Sequence, residues 1–188
     1  MGFSLKCRGS RAARGLLLAA CLCLPLLAQE SMAPHKSFVT MAPQPLVAVT
    51  RGQPNMVDLQ FRVEPGLHIN SNKPSSQLLI PTVLRLDPPT DVMIGRISYP
   101  EGQQMSFVFS PDDNLSVYTG DFTVSVEVRP LAHVEPARYA VRGRLKYQAC
   151  DNSACYPPKL LPVNFDIKVV KAPPPPRRNP AQSPHVHQ

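Results

Sequence analysis

The residues best suited to chemistry in this 188-residue chain are Cys150 and Cys155, which lie five positions apart. Two thiols this close in sequence can close a small disulfide ring or stay reduced, and either state can be used. Closing so short a ring restricts the unfolded chain only a little, by about 2 kcal/mol on the loop-entropy estimate. Because strained or exposed disulfides exchange with other thiols, the spacing modestly favours a redox-active pair over a purely structural disulfide, and both interpretations stay open.

Metal binding is the other chemistry that two cysteines could serve. A structural zinc site needs four ligands, and this spacing supplies only two thiols. The nearest upstream histidine, His133, falls in a predicted loop, and His185 and His187 belong to the polar end of the chain. We therefore expect neither a metal nor a bound cofactor.

The first 28 residues have the organisation of a secretory signal. Four basic residues precede an apolar run from Leu16 to Leu27, and Ala28 offers a small residue for cleavage. Such a run is short for a bilayer span. Alternatively, Cys21 ends a stretch that resembles a lipoprotein box and would then carry a lipid anchor. Both interpretations predict export to the periplasm or an equivalent oxidising compartment, where a close cysteine pair most simply forms a disulfide.

The basic charge of the chain lies mostly outside its middle part. The formal net charge is +7, yet all 13 acidic residues and 13 of the 20 basic residues lie between Gln29 and Val170. This part is therefore neutral overall and offers no basic face for a nucleic acid. We expect no nucleic-acid partner, and contact with a membrane only if Cys21 is lipidated.

Alternation of apolar and polar residues predicts about eight strands and no convincing helix between residues 46 and 170. The clearest strand patterns cover 57–63, 122–128, 139–147 and 161–169, and weaker ones cover 46–50, 78–86, 92–98 and 105–109. Many short strands separated by proline-rich turns predict an all-β fold, an immunoglobulin-like antiparallel β-sandwich. Residues 29–45 are predicted to be a flexible lead-in, and the proline-rich tail 171–188 is predicted to be disordered.

The cysteine stretch carries a specific resemblance. Tyr147-Gln148-Ala149-Cys150, a short polar spacer and Cys155-Tyr156-Pro157-Pro158 closely resemble the redox loop of the N-terminal periplasmic domain of the thiol-disulfide interchange protein DsbD. Supporting matches occur in the same order at residues 67–71, 79–82 and 116–128. The resemblance covers about 45–170, which is the whole predicted domain.

The resemblance implies a sandwich whose disulfide receives electrons from a thioredoxin-like domain, fed by a membrane carrier, and then reduces thioredoxin-like periplasmic proteins. It also implies that Cys155 forms the mixed disulfides and that Cys150 resolves them. Because the sequence stops after this domain, we expect the membrane and thioredoxin-like parts to be supplied by separate proteins.

Two departures from the family concern the cysteine loop. The spacer has four residues, one fewer than in the best-known members. Those members cover the disulfide with a cap loop that carries an aromatic residue, whereas the corresponding turn here, predicted near 110–115, has none. Phe107 or Phe109 is the candidate substitute for the aromatic residue of the cap.

The companions of the cysteines are predicted to support the loop. These residues are Tyr147, Gln148, Asp151, Tyr156, Pro157 and Pro158. The carboxylate of Asp151 next to Cys150 would disfavour a thiolate there. His68 is predicted to be a hydrogen-bonded structural residue rather than a base.

Overall fold

The computed structural model describes residues 37–107 and 110–174. This part of the chain contains twelve strands, joined by turns and loops, and no helix. The described part excludes residues 1–36, which comprise the predicted leader and the first eight residues of the predicted lead-in, and residues 175–188 of the predicted tail. No helix in the described part is long and apolar enough to cross a bilayer. The strands are β1 (Val39–Met41), β2 (Val47–Thr50), β3 (Asn55–Val63), β4 (His68–Asn70), β5 (Val83–Asp87), β6 (Val92–Ser98), β7 (Gln103–Phe107), β8 (Ser110–Tyr118), β9 (Asp121–Pro130), β10 (Arg138–Tyr147), β11 (Ala149–Cys150) and β12 (Lys159–Val170).

The described strands form three four-stranded sheets. Their orders are β1-β3-β9-β6, β2-β12-β10-β5 and β11-β4-β8-β7. Neighbouring strands run antiparallel except β2 and β12, which pair in parallel. The prediction of an all-β, immunoglobulin-like sandwich is confirmed, with this one parallel pair as a departure from a purely antiparallel arrangement.

The core lies between the first two sheets and follows from the alternation seen in the sequence. In β3 every second residue from Val57 to Val63 is buried, and β9 shows the same pattern from Phe122 to Val128. Their side chains join one apolar cluster with buried residues of β10 and β12, among them Leu145. Burying an aliphatic side chain contributes roughly 1.5–3 kcal/mol, so this cluster holds the sheets against each other.

A tight turn leads the chain into β4, the strand that pairs with the Cys150 strand β11. Pro65 and Gly66 occupy the corner, where Gly66 has a φ of 80° and the N–H of Leu67 donates to the carbonyl of Glu64 at 3.1 Å. Proline followed by a residue with positive φ is the arrangement of a type II turn. The predicted turn is therefore present and delivers His68 to the first position of β4.

Part of the predicted flexible lead-in is a strand. Val39–Met41 forms β1, pairs with β3 and buries Val39 completely. The prediction for residues 29–45 is wrong for these three residues because the alternation is too short to be recognised without its partner strand.

Two other predicted boundaries also need correction. The strand predicted over 78–86 begins only at Val83, because Pro81 has no N–H to donate and Asn70 holds the carbonyl of Ile80 by a side-chain hydrogen bond of 3.0 Å. The turn predicted near 110–115 is strand instead, since β8 starts at Ser110, the cross-strand partner of Phe107. Residues 108 and 109 lie outside the described residues, and with them Phe109, one of the two candidates for the aromatic residue of a cap.

Candidate redox site

The cysteine loop arises where the chain changes sheets. Strand β10 pairs with β12 up to Tyr147, and after Gln148 the chain enters β11, which pairs with β4 in the third sheet. Beyond Cys155 the chain returns through Pro157 and Pro158 to β12. The loop is thus held at both ends by strands of the sandwich, and its two prolines are exposed and fix the exit path.

Cys150 and Cys155 form a disulfide, with their Cα atoms 3.9 Å apart. The same two residues pair as an isolated antiparallel β-bridge. The N–H of Tyr156 donates to the carbonyl of Ala149 at 2.8 Å and secures the bridge. The two cysteines differ in accessibility, because only 1% of Cys150 is exposed whereas Cys155 is an exposed residue. An incoming thiol can therefore approach Cys155 more readily than Cys150.

Asp151 organises the spacer between the cysteines. Its Oδ1 accepts the backbone N–H groups of Ser153 and Ala154 at 2.7 and 2.8 Å, and its Oδ2 accepts the hydroxyl of Tyr156 at 2.7 Å. The bond from Ser153, followed by those from Tyr156 and Ala154, lowers the pKa of the Asp151 carboxyl. The same pairing with the carboxylate raises the pKa of Tyr156. The ionised carboxylate thus folds the loop back on itself.

Gln148 and Tyr147 tie the loop to its surroundings. Gln148 donates through Nε2 to the carbonyl of Tyr156 at 3.1 Å, and Tyr147 is buried with its hydroxyl accepting the N–H of Phe38 at 3.2 Å. The structure therefore brings the predicted supporting residues together around the disulfide. Their functional importance remains a prediction.

Two residues that lie beside the loop, Phe38 and Lys159, were not predicted from the sequence to be part of the site. The ring of Phe38 lies 4.8 Å from that of Tyr156, and Nζ of Lys159 lies 4.0 Å from the centre of the Phe38 ring. Phe38 belongs to the segment that was predicted to be flexible, so no signal placed it here.

His68 and Phe107 complete the site on the side of the third sheet. His68 is the cross-strand partner of Cys150 and is buried, and burial lowers the pKa of its imidazole, partly offset by the charge of Asp151. The ring of Phe107 stacks on that of His68, with centroids 3.8 Å apart. Phe107 therefore covers the cross-strand neighbour of Cys150. Its role as the aromatic residue of a cap stays a prediction.

The described residues contain no group of three or more His, Cys, Asp or Glu side chains placed to hold a metal ion.

Comparisons with known proteins identify the family of the chain. The family model described as thiol:disulfide interchange protein DsbD, N-terminal, matches residues 37–165. A search of curated proteins gives no match. Among solved structures, the reduced DsbD N-terminal domain of Neisseria meningitidis is 25% identical, covers 59% of this chain and 74% of its own, and has a TM-score of 0.37.

Two further solved structures are similar to this chain. A complex between the DsbD N-terminal and PilB N-terminal domains of N. meningitidis is 23% identical, with 59% and 73% of the chains covered and a TM-score of 0.36. AggA, a fimbrial subunit from Escherichia coli, is 12% identical, with 70% and 94% covered and a TM-score of 0.36. Because the family model spans well over half of the sequence, the chain belongs to the family of the N-terminal domain of the thiol:disulfide interchange protein DsbD.

Proposed function

We propose that this protein is an exported thiol-disulfide exchange protein that passes electrons between thioredoxin-like partners through Cys150 and Cys155. The observation that carries the proposal is the unequal exposure of the two sulfur-bearing residues, with Cys155 open to solvent and Cys150 buried. An exchanging pair needs one cysteine that reaches the partner and one that is kept for the second step. Membership in an interchange-protein family supports the same assignment.

In the reductive direction, the Cys155 thiolate attacks one sulfur of a partner disulfide. The partner's S–S bond breaks, a mixed disulfide forms at Cys155, and the partner's other sulfur leaves as a thiolate. Cys150 then loses its proton and attacks the sulfur of Cys155. The mixed disulfide breaks, the Cys150–Cys155 disulfide forms, and two electrons have passed to the partner, which leaves as a dithiol once protonated. The same steps in reverse, with a dithiol donor, reduce the Cys150–Cys155 disulfide again.

Export, and a membrane carrier as the source of electrons, belong to the same proposal. The leader pattern and the family's periplasmic setting support export, and a disulfide is the stable state of a close cysteine pair in an oxidising compartment. Thioredoxin-like proteins are proposed as partners because they present the accessible dithiol or disulfide that such an exchange requires.

The test is direct transfer of electrons to a thioredoxin-fold protein that carries a CxxC disulfide. The full chain, with leader residues Cys7, Cys21 and Cys23 replaced by serine, is reduced, freed of reductant and mixed with the oxidised partner at equal concentration. Alkylation followed by mass spectrometry counts the thiols on each protein. We expect the domain to lose two thiols as the partner gains two. A partner that stays oxidised beside a fully reduced domain would refute the proposed function.

A further inference from the structure

Closing the disulfide requires Cys150 to lose a proton at a place that water hardly reaches. Only 1% of this residue is exposed. Burial disfavours the charged form of a thiol, yet the thiolate is the form that attacks a disulfide. The second step of the exchange therefore needs a group beside Cys150 that accepts the proton.

Asp151 is adjacent to Cys150 in sequence but is poorly suited to this task. Both of its carboxylate oxygens already accept hydrogen bonds, Oδ1 from Ser153 and Ala154 and Oδ2 from Tyr156. These bonds lower the pKa of its carboxyl, which makes the carboxylate a weak base. Taking the proton of Cys150 would break the network that shapes the loop.

His68 is placed for the task by the pairing of β4 with β11. Residues directly opposite each other on antiparallel strands project their side chains to the same face, with Cβ atoms about 5 Å apart. His68 and Cys150 are such a pair, and both are buried. Burial lowers the pKa of the imidazole and so favours the neutral ring, which is the form that can accept a proton at a ring nitrogen.

The groups packed around His68 are compatible with proton transfer. Phe107, from β7, covers one face of the imidazole with an apolar ring. Asp151, from the cysteine loop, contributes a negative charge that favours the imidazolium formed when the proton arrives. Tyr118, opposite Ile69 in β8, uses its hydroxyl to donate to Asn72.

We propose that His68 is the proton acceptor for Cys150 in the ring-closing step, an inference that rests on the proposed function of the cysteine pair. The S–H bond of Cys150 breaks and its proton moves to a ring nitrogen of His68. The sulfur of Cys150 forms a bond to that of Cys155, and the bond from Cys155 to the partner breaks. The partner sulfur leaves as a thiolate and receives its proton from the imidazolium or from water.

The two steps can be separated with an aromatic disulfide probe, dithiobis-nitrobenzoate. Attack of Cys155 on the probe releases one coloured thiolate, and attack of Cys150 on the resulting mixed disulfide releases a second. The full chain with its three leader cysteines replaced by serine is reduced and mixed with one equivalent of probe in a stopped-flow instrument. The second phase then reports ring closure without any protein partner.

His68→Phe keeps a ring that can stack on Phe107 but removes the proton acceptor. We expect it to slow the second phase near neutral pH by about 100-fold, the lower end of general-base catalysis, and to leave the first phase unchanged. His68→Gln should behave in the same way. The matched control is His133→Gln, because His133 lies in the connection between β9 and β10, at the end of β10 away from the cysteines, and should affect neither phase.

The pH dependence supplies a readout that a structural role would not change. In the unaltered protein, ring closure should slow as the pH falls through the imidazole pKa, because the protonated ring cannot accept a proton. This limb should be missing in His68→Phe, and the two rates should converge at high pH, where Cys150 ionises unaided. Ring closure that is equally fast in His68→Phe, or an unaltered protein without this limb, would overturn the assignment.

The proposed function and this inference fail in different ways. A disulfide that cannot be reduced in the folded protein would give neither phase and would refute the proposed function. Two clear phases with no dependence on His68 would refute only the role of the histidine.

Discussion

Replacing Cys150 with serine is expected to turn the domain into a trap for its partners. The exposed Cys155 would still attack a partner disulfide, but no second thiol would be present to release it. The mixed disulfide should therefore accumulate to nearly one per domain, and electron transfer to a thioredoxin-fold protein should stop. Non-reducing electrophoresis and mass spectrometry of the joined peptides measure both effects.

Cys155→Ser is the matched control for this trap. Its remaining cysteine, Cys150, is 1% exposed and should not reach a partner. We expect no adduct and no electron transfer from this variant. Adducts that form equally well through Cys150 would contradict the assignment of Cys155 as the exchanging residue.

Replacing Phe107 with alanine should both lower the free energy of unfolding of the domain and make the disulfide more accessible to small reductants. Phe107 is 6% exposed and packs against Leu115, Val117 and the ring of His68. Truncating a buried phenylalanine costs about 3 kcal/mol or more, which urea unfolding would measure. The space left over His68 would also admit small molecules beside Cys150, so dithiothreitol should reduce the disulfide faster.

Leu115→Ala separates shielding from stability. Leu115 belongs to the same small apolar cluster and is 5% exposed, so its loss should destabilise the domain by a comparable amount, about 2 kcal/mol or more. The Leu115→Ala variant keeps the Phe107 ring that covers His68, so dithiothreitol should reduce its disulfide at the original rate. Equal acceleration in both variants would mean that Phe107 contributes only to stability.

The sequence was most informative where one strand shows its own pattern. The alternation in 57–63 and 122–128 identified strands β3 and β9 because each has one buried and one exposed face, which a single sequence displays. The disulfide between Cys150 and Cys155 was predictable for a similar reason, since both partners lie in one short stretch. Local information was sufficient in these cases.

The rest of the site depends on contacts between distant segments. That His68 faces Cys150 follows from the register of β4 against β11, and β11 has only two residues. The arrival of Phe38 beside Tyr156 likewise depends on the pairing of β1 with β3. Neither register leaves a periodic signal in the sequence, so the positions of His68 opposite Cys150 and of Phe38 beside the loop could not be predicted.

The most direct test of thiol-disulfide exchange by this protein is the redox equilibrium of the folded, exported protein against glutathione, measured by thiol alkylation. A structural disulfide in an exported protein has a reduction potential below about −300 mV, whereas an exchanging one lies above this value. We predict a midpoint above that limit, reached without loss of the folded state. A disulfide that resists reduction until the domain unfolds would refute thiol-disulfide exchange through Cys150 and Cys155. It would identify the protein as a binding or assembly module with a structural disulfide.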